Sequence, residues 1–191
     1  MPSFTALGHD PYASIQAATR AHRAKHGCGA YTFEDGPALR LLAAQRQPRR
    51  ILEMGTALGY TACCLAGGSM SAQVDTIEAD AEHVVLAREQ IERVGLSERV
   101  TVHHGRFEDI LPTLEPGYGL AFFDGFAPDL TVLRLVRQLL VDGAALVCAN
   151  LQLASAKVVR DLSRNLDDPE LWQRQPSIEG GATHVLVKVG N

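Results

Sequence analysis

Residues 50–61 constrain this chain more than any other stretch. Arg50 to Met54 (RILEM) reads as a short apolar strand, Gly55 to Gly59 as a glycine turn, and Tyr60 to Ala66 as the start of a helix. Gly55 and Gly59 permit a tight strand-to-helix turn and a close approach of ligand to backbone. The helix that follows offers free N–H groups to a carboxylate or phosphate. Such a turn by itself is also an ordinary βα connection. Here Glu78 closes the next strand 25 positions after Glu53, where a carboxylate can accept both hydroxyls of a ribose. Strand, turn, helix and acid together point to a nucleotide-like ligand.

The rest of the chain alternates in the same way, without internal repeats. Ala13 to His26, Glu34 to Arg46, Ala81 to Val94, Phe107 to Leu114, Pro128 to Leu140 and Ser155 to Asn165 read as helices. In the third of these Val84, Ala87, Ile91 and Val94 share one face, and Gly95 is placed to stop it. Val74 to Glu78, Arg99 to His103, Tyr118 to Asp124 and Ala144 to Ala149 read as strands, with Asp142-Gly143 a turn. Trp172 to Gln175 and His184 to Val189 lie too close together for a helix between them and predict a terminal antiparallel hairpin. That is an α/β domain with a seven-stranded, mostly parallel sheet. Ligands of such sheets bind at the carboxyl ends of the strands, where the strand order reverses.

Composition removes other classes. The 191 residues are 46% hydrophobic and 21% charged, which excludes disorder and coiled coil and suits one domain over residues 1–191. The net charge of −4 offers no basic field for nucleic acid or anionic lipid. No apolar run is long enough to span a membrane, and Met1 to Tyr12 lacks the pattern of a signal peptide. Cys28, Cys63, Cys64 and Cys148 show no C-x-x-C spacing, so reduced thiols and a cytoplasmic location are expected.

LEMGTALGYT, TIEAD, HHGRFEDILPTL, YGLAFFDGF and LLVDGAALVCANL occur in that order. Together they resemble the class I S-adenosylmethionine-dependent methyltransferases, and among them the catechol and caffeoyl-CoA O-methyltransferases. The resemblance covers about Tyr31 to Asn150. The dinucleotide fingerprint G-x-G-x-x-G is not matched, which disfavours a dehydrogenase of similar topology. The resemblance implies a Rossmann-like sheet with helices on both faces, residues 1–30 as a helical cap, and a homodimer. It implies S-adenosylmethionine as cofactor and a small-molecule acceptor. Glu53, Gly55, Thr56, Gly59 and Tyr60 would shape the methionine pocket, with Thr61 donating to the methionine carboxylate. Tyr31 and Thr32 would close over the same moiety. Glu78 and Ala79 would border the ribose, and Gly105, Arg106 and Phe107 the adenine. Asp124 would lie near the sulfonium, either as a general base or as the partner of the methionine amino group.

Two departures from the family pattern matter. Its metal site pairs the aspartate matched by Asp124 with an Asp-Asn dipeptide, which here reads Ala149-Asn150. The lysine that often follows that aspartate is absent from Gly125-Phe126-Ala127. Asp124 and Asn150 remain as the only metal candidates, fewer oxygens than a hard divalent ion prefers. A metal-independent or only weakly metal-dependent reaction is therefore expected. A relative that holds the cofactor without turnover is the alternative. The basic run Arg20, His22, Arg23, Lys25 and His26 reads either as a solvated helix face or as a clamp for an acidic or CoA-like substrate. His103 and His104 are expected to be structural, Trp172 a packing or dimer residue, and Cys63, Cys64 and Cys148 small core residues.

Overall fold

A computed structural model describes residues 10–126 and 128–190. Met1 to His9, Ala127 and Asn191 lie outside the described residues, so the readings made there carry no further. Alternation of side chains across β1 (Arg50–Met54) organises the rest. Ile51 enters one apolar cluster and Leu52 and Met54 the other, as successive strand residues face opposite ways. Leu120 and Phe122 of β4 (Tyr118–Phe123) face the first cluster, and Ala121 and Phe123 the second.

Helices close both faces. On the first lie α1 (Ala13–His26), α2 (Gly36–Arg46), α3 (Tyr60–Gly68) and α4 (Ala81–Arg93). On the second lie α5 (Phe107–Ile110), α6 (Leu130–Leu139) and α7 (Ala156–Leu166). Tyr60 to Ala66 of α3 are all buried, which explains why that helix is apolar all round. The remaining strands are β2 (Gln73–Glu78), β3 (Val100–His104), β5 (Leu140–Cys148), β6 (Trp172–Ile178) and β7 (Thr183–Lys188). The order is β3-β2-β1-β4-β5-β7-β6. β1 to β5 are parallel, and β7 runs antiparallel between β5 and β6. The expected architecture is borne out, and the strand order reverses between β1 and β4.

Local chemistry moved several boundaries. α2 starts at Gly36 rather than Glu34, because the Asp35 carboxylate accepts the Ala38 N–H at 3.1 Å and caps it. α6 starts at Leu130 rather than Pro128, because Asp129 caps it by accepting the Val132 N–H at 2.8 Å. The helix expected from Phe107 to Leu114 splits into α5 and a 3-10 turn at Leu111–Thr113, since Pro112 has no N–H to continue an α-helix. Asp142-Gly143 is not a turn between elements. Both residues sit inside β5, where Gly143 takes φ +77° and the pairing with β4 shifts between Tyr118 and Leu120: two steps on β4 match five on β5, so a bulge absorbs the extra residues.

A polar network stiffens the sheet away from the switch point. Asp75 accepts from the Tyr118 hydroxyl at 2.7 Å and the Arg50 guanidinium at 3.2 Å, and pairs with His103 Nε2 at 2.8 Å. Asp75 is partly buried, which by itself would raise its pKa, but these three partners outweigh that and hold it below the usual carboxylate range. His103 is thus a structural residue, as expected.

Candidate active site

The switch point places the ends of β1 and β4 side by side. Gly55 has φ +102°, and a Cβ there would sit 3.0 Å from the Asp124 carbonyl carbon and the Gly125 nitrogen. Only glycine lets the two strand ends approach so closely. Gly59 caps α3 with φ +92° and donates its N–H to the Thr56 oxygen at 2.8 Å. The turn is also tied to β2, because Glu78 Oε2 accepts the Ala57 N–H and Oε1 the Asp80 N–H, each at 2.9 Å. Both oxygens of Glu78 thus already hold backbone, leaving their second lone pairs for a ligand.

Tyr31, Thr32, Gly55, Thr56, Tyr60, Thr61 and Asp124 line one pocket. Thr19, Phe33 and Ala57 complete it. Ala79, Arg106 and Phe107 line a second cleft with Phe123 and Phe126, and the Phe107 and Phe123 rings meet edge to face at 5.8 Å. Glu53 is fully buried beneath the turn. Gly105 donates to the Glu78 carbonyl at 2.9 Å, which joins β3 to the end of β2 between the two clefts. The Tyr60 hydroxyl is not free for a ligand, since it donates to Asp10 at 2.6 Å. Tyr31 is mostly exposed, with the Arg23 guanidinium 3.7 Å over its ring, and Arg20 pairs with Glu34. Two cations of the α1 run are thereby engaged within the cap, which fits a solvated face.

Two carboxyls dominate the electrostatics, Glu53 fully buried and Asp124 partly buried in the pocket wall. Thr76 donates to Glu53 Oε2 at 2.5 Å, and the Thr56 and Thr76 hydroxyls lie 2.6 Å apart. With Glu53 ionised, hydrogens therefore run from Thr56 to Thr76 to Glu53. Glu53 Oε1 has no hydrogen-bond partner. Burial is the largest influence on Glu53 and raises its pKa. The nearby Thr61 and Thr76 hydroxyls oppose that, the Glu78 charge adds to it, and the result is about 7. Asp124 lies well above the usual carboxylate range, first through burial, then through the charges of Glu53 and Glu179, against the Asn150 amide. Neither carboxyl has an ion-pair partner among the described residues. Asn150 takes a left-handed φ of +63° and directs Nδ2 to Asp124 Oδ1 at 3.1 Å and to the Gly125 oxygen at 3.3 Å.

That donor set does not fit a catalytic divalent cation. Asn150 turns its nitrogen toward Asp124, Ala149 carries no oxygen in its side chain, and one carboxylate remains. Two participants left no signal in the sequence. Glu179, in the β6–β7 connection at φ +51°, reaches the field of Asp124 only through the hairpin. Thr76 is an ordinary strand residue until it is paired with Glu53.

Comparison with known proteins agrees with this geometry. A family described as "Methyltransferase domain" matches residues 52–151. The chain is 30% identical to a catechol O-methyltransferase of Niastella koreensis, over 91% of this chain and 76% of that protein. It is 37% identical to a catechol O-methyltransferase of Mycobacterium tuberculosis, over 63% of this chain and 55% of that one. The chain thus spans little more than half of the second relative. An O-methyltransferase from Bacillus cereus, solved in complex with SAH, superposes with a TM-score of 0.77 over 97% of this chain and 94% of that one. At 23% identity that likeness speaks for the fold. With the switch-point turn, the acidic second-strand end, a methyltransferase family match over residues 52–151 and a relative that aligns with 91% of this chain, this chain belongs to the class I S-adenosylmethionine-dependent O-methyltransferase family.

Proposed function

We propose that this chain transfers a methyl group from S-adenosylmethionine to an oxygen of a small molecule, a phenol or a carboxylate, without depending on a divalent metal. The observation that carries this reading is the pair of carboxyls beside the Gly55–Gly59 turn, Glu53 fully buried and Asp124 partly buried in the pocket wall, both with raised pKa. Desolvated carboxyls without a cation favour a ligand that brings positive charge. S-adenosylmethionine supplies an activated methyl group on a sulfonium when bound. The names of the Niastella and Mycobacterium relatives support a catechol-like acceptor.

The roles follow from position. The Tyr31–Thr32 segment and the turn from Gly55 to Thr61 enclose the methionine end, with α3 presenting its free N–H groups to the carboxylate. Glu78 uses its remaining lone pairs for the ribose hydroxyls. Ala79, Arg106 and Phe107 flank the adenine. Asp124, driven to its ionised form by a cation beside it, has one of two roles, holding the methionine amino group or taking the proton from the acceptor oxygen. Displacement at a sulfonium needs alignment above all, and the abutting ends of β1 and β4 fix the turn that provides it. We further propose a homodimer whose second copy completes the acceptor wall beside the exposed Phe126. Free thiols at Cys63, Cys64 and Cys148 support a cytoplasmic location, and no helix among the described residues is long and apolar enough to cross a membrane.

The test is calorimetric titration with S-adenosylmethionine and its demethylated product, with magnesium and with chelator, using NAD as control. Transfer to a panel of phenols and carboxylates follows. Binding and transfer unaffected by chelator are expected. Loss of transfer on chelation overturns metal independence, and absence of binding overturns the reading. Binding without transfer to any acceptor would make the chain a cofactor-holding relative. In Asp124→Asn, a fall in affinity reports the cation-holding role, and a fall in kcat at unchanged affinity reports the base.

A further inference from the structure

A group of metal-ligating side chains lies outside the pocket described above. His22 of α1, Cys28 just after that helix, and His83 in the first turn of α4 each bring one ligand atom within 4.8 Å of the other two. Three local features build the group. His83 is held by the α4 cap, where its N–H donates to Asp80 Oδ1 at 3.1 Å. Gly27 stops α1 in a left-handed conformation with φ +64°, and that reversal turns Cys28 back toward His22. The His22 and His83 rings stand edge to face at 5.4 Å.

Two observations point to a ligand here. The Nε2 atom of His22 is buried and has no hydrogen-bond partner, an expensive state for an imidazole nitrogen unless something binds it. Cys28 is a free thiol, and it is the only cysteine of the four that is not buried. One thiolate and two imidazoles form a donor set for zinc and its neighbours rather than for magnesium or calcium. Four-coordination needs one more ligand. His26 stacks on His22 at 4.5 Å, and Glu82 lies within the same reach of His22 and His26; water is the remaining choice.

We propose that His22, Cys28 and His83 bind one zinc-class transition-metal ion, which fastens the N-terminal helix to α4. A tetrahedral zinc site sets its ligand atoms about 3.3–3.8 Å apart, so atoms now within 4.8 Å of one another need draw in by no more than about 1.5 Å per pair, within the freedom of three side chains on two helix ends and a loop. The ion would be structural. It would pin the cap from which Thr19, Tyr31 and Thr32 reach the methionine pocket, a consequence that rests on the proposed function, whereas the binding itself does not.

The test uses the untagged full chain, stripped with chelator and titrated with cobalt(II) as a spectroscopic stand-in for zinc. One equivalent per chain is expected, with a thiolate-to-cobalt charge-transfer band that zinc abolishes and magnesium leaves unchanged. Cys28→Ser, at a partly exposed position outside the core, should lose that band. His22→Ala should weaken cobalt binding at least about 10-fold. Zinc should raise the Tm of the parent chain and not that of Cys28→Ser. Absence of stoichiometric binding overturns the proposal, as does a band that survives in Cys28→Ser. None of these readouts involves S-adenosylmethionine, so failure of the methyltransferase reading and failure of the metal site are seen separately.

Discussion

Asn150 holds Asp124 through a 3.1 Å hydrogen bond from Nδ2 to Oδ1, from a left-handed backbone at the end of β5. The amide is the one influence that lowers the Asp124 pKa against burial and two neighbouring carboxyls. Asn150→Ala should raise that pKa further and weaken S-adenosylmethionine about 10- to 100-fold, in line with the roughly 1.5–3 kcal/mol of a hydrogen bond to a charged group. Asn150→Gly tolerates φ +63° and should lose the same affinity with less loss of fold stability. Calorimetry on the two variants checks this, and unchanged affinity in both would remove Asn150 from the site.

Glu53 makes the ligand-free protein lose stability as pH rises. Its folded pKa of about 7 exceeds the ordinary 4.5, so between those values the folded chain binds more protons than the unfolded one. Stability is then full below about pH 4.5 for this group and declines as pH rises through 7, by about 3 kcal/mol. Asp124 adds to the same direction. Denaturant unfolding at pH 5.5 and pH 8 should show the decline, and Glu53→Gln should flatten it.

Cofactor binding should carry the opposite signature. A cation beside Glu53 and Asp124 favours their ionised forms, so binding below pH 7 releases protons and affinity rises with pH until both are ionised. Titration at pH 6 in buffers of different ionisation enthalpy measures the proton count. A count of zero would mean that the ligand's charge lies elsewhere.

Thr76→Val removes the donor that Glu53 Oε2 accepts at 2.5 Å and breaks the chain to Thr56. An unpaired buried acceptor costs about 1–3 kcal/mol. The loss should be larger at pH 8 than at pH 5.5, because the ionised carboxylate needs the hydrogen bond more. Equal losses at the two pH values would contradict the assigned hydrogen direction.

Gly55→Ala meets two obstacles, a φ of +102° and backbone atoms 3.0 Å from the new Cβ. Destabilisation of about 1–3 kcal/mol is expected from the strained conformation. Cofactor affinity should fall further than in Thr76→Val, because the turn itself must shift. Thermal unfolding and calorimetry on the same samples measure both.

Periodicity along the chain was enough to read the elements, because a helix or strand repeats its burial every few residues and needs no distant partner to do so. Val84, Ala87 and Ile91 marked α4 in this way, and RILEM followed by Gly55 and Gly59 marked the switch-point turn. The terminal hairpin also followed, since a short connection leaves few topologies, whereas the order of the strands came only from the structure. The starts at Gly36 and Leu130 each lie two residues beyond the expected ones, because a cap depends on one side chain rather than on a repeat.

Only the tertiary structure decided which groups meet. Asn150 reaches Asp124 across 26 positions, Thr76 reaches Glu53 across 23, and Glu179 enters the field of Asp124 from the far hairpin. His22, Cys28 and His83 share one corner only because the C-terminal half of α1 meets the start of α4 there. Such contacts arise where loops and element ends converge, places that have no period to read. The raised pKa values of Glu53 and Asp124 likewise come from burial and from neighbouring carboxyls, Glu78 for the first and Glu53 with Glu179 for the second, quantities that exist only once the sheet has closed around them.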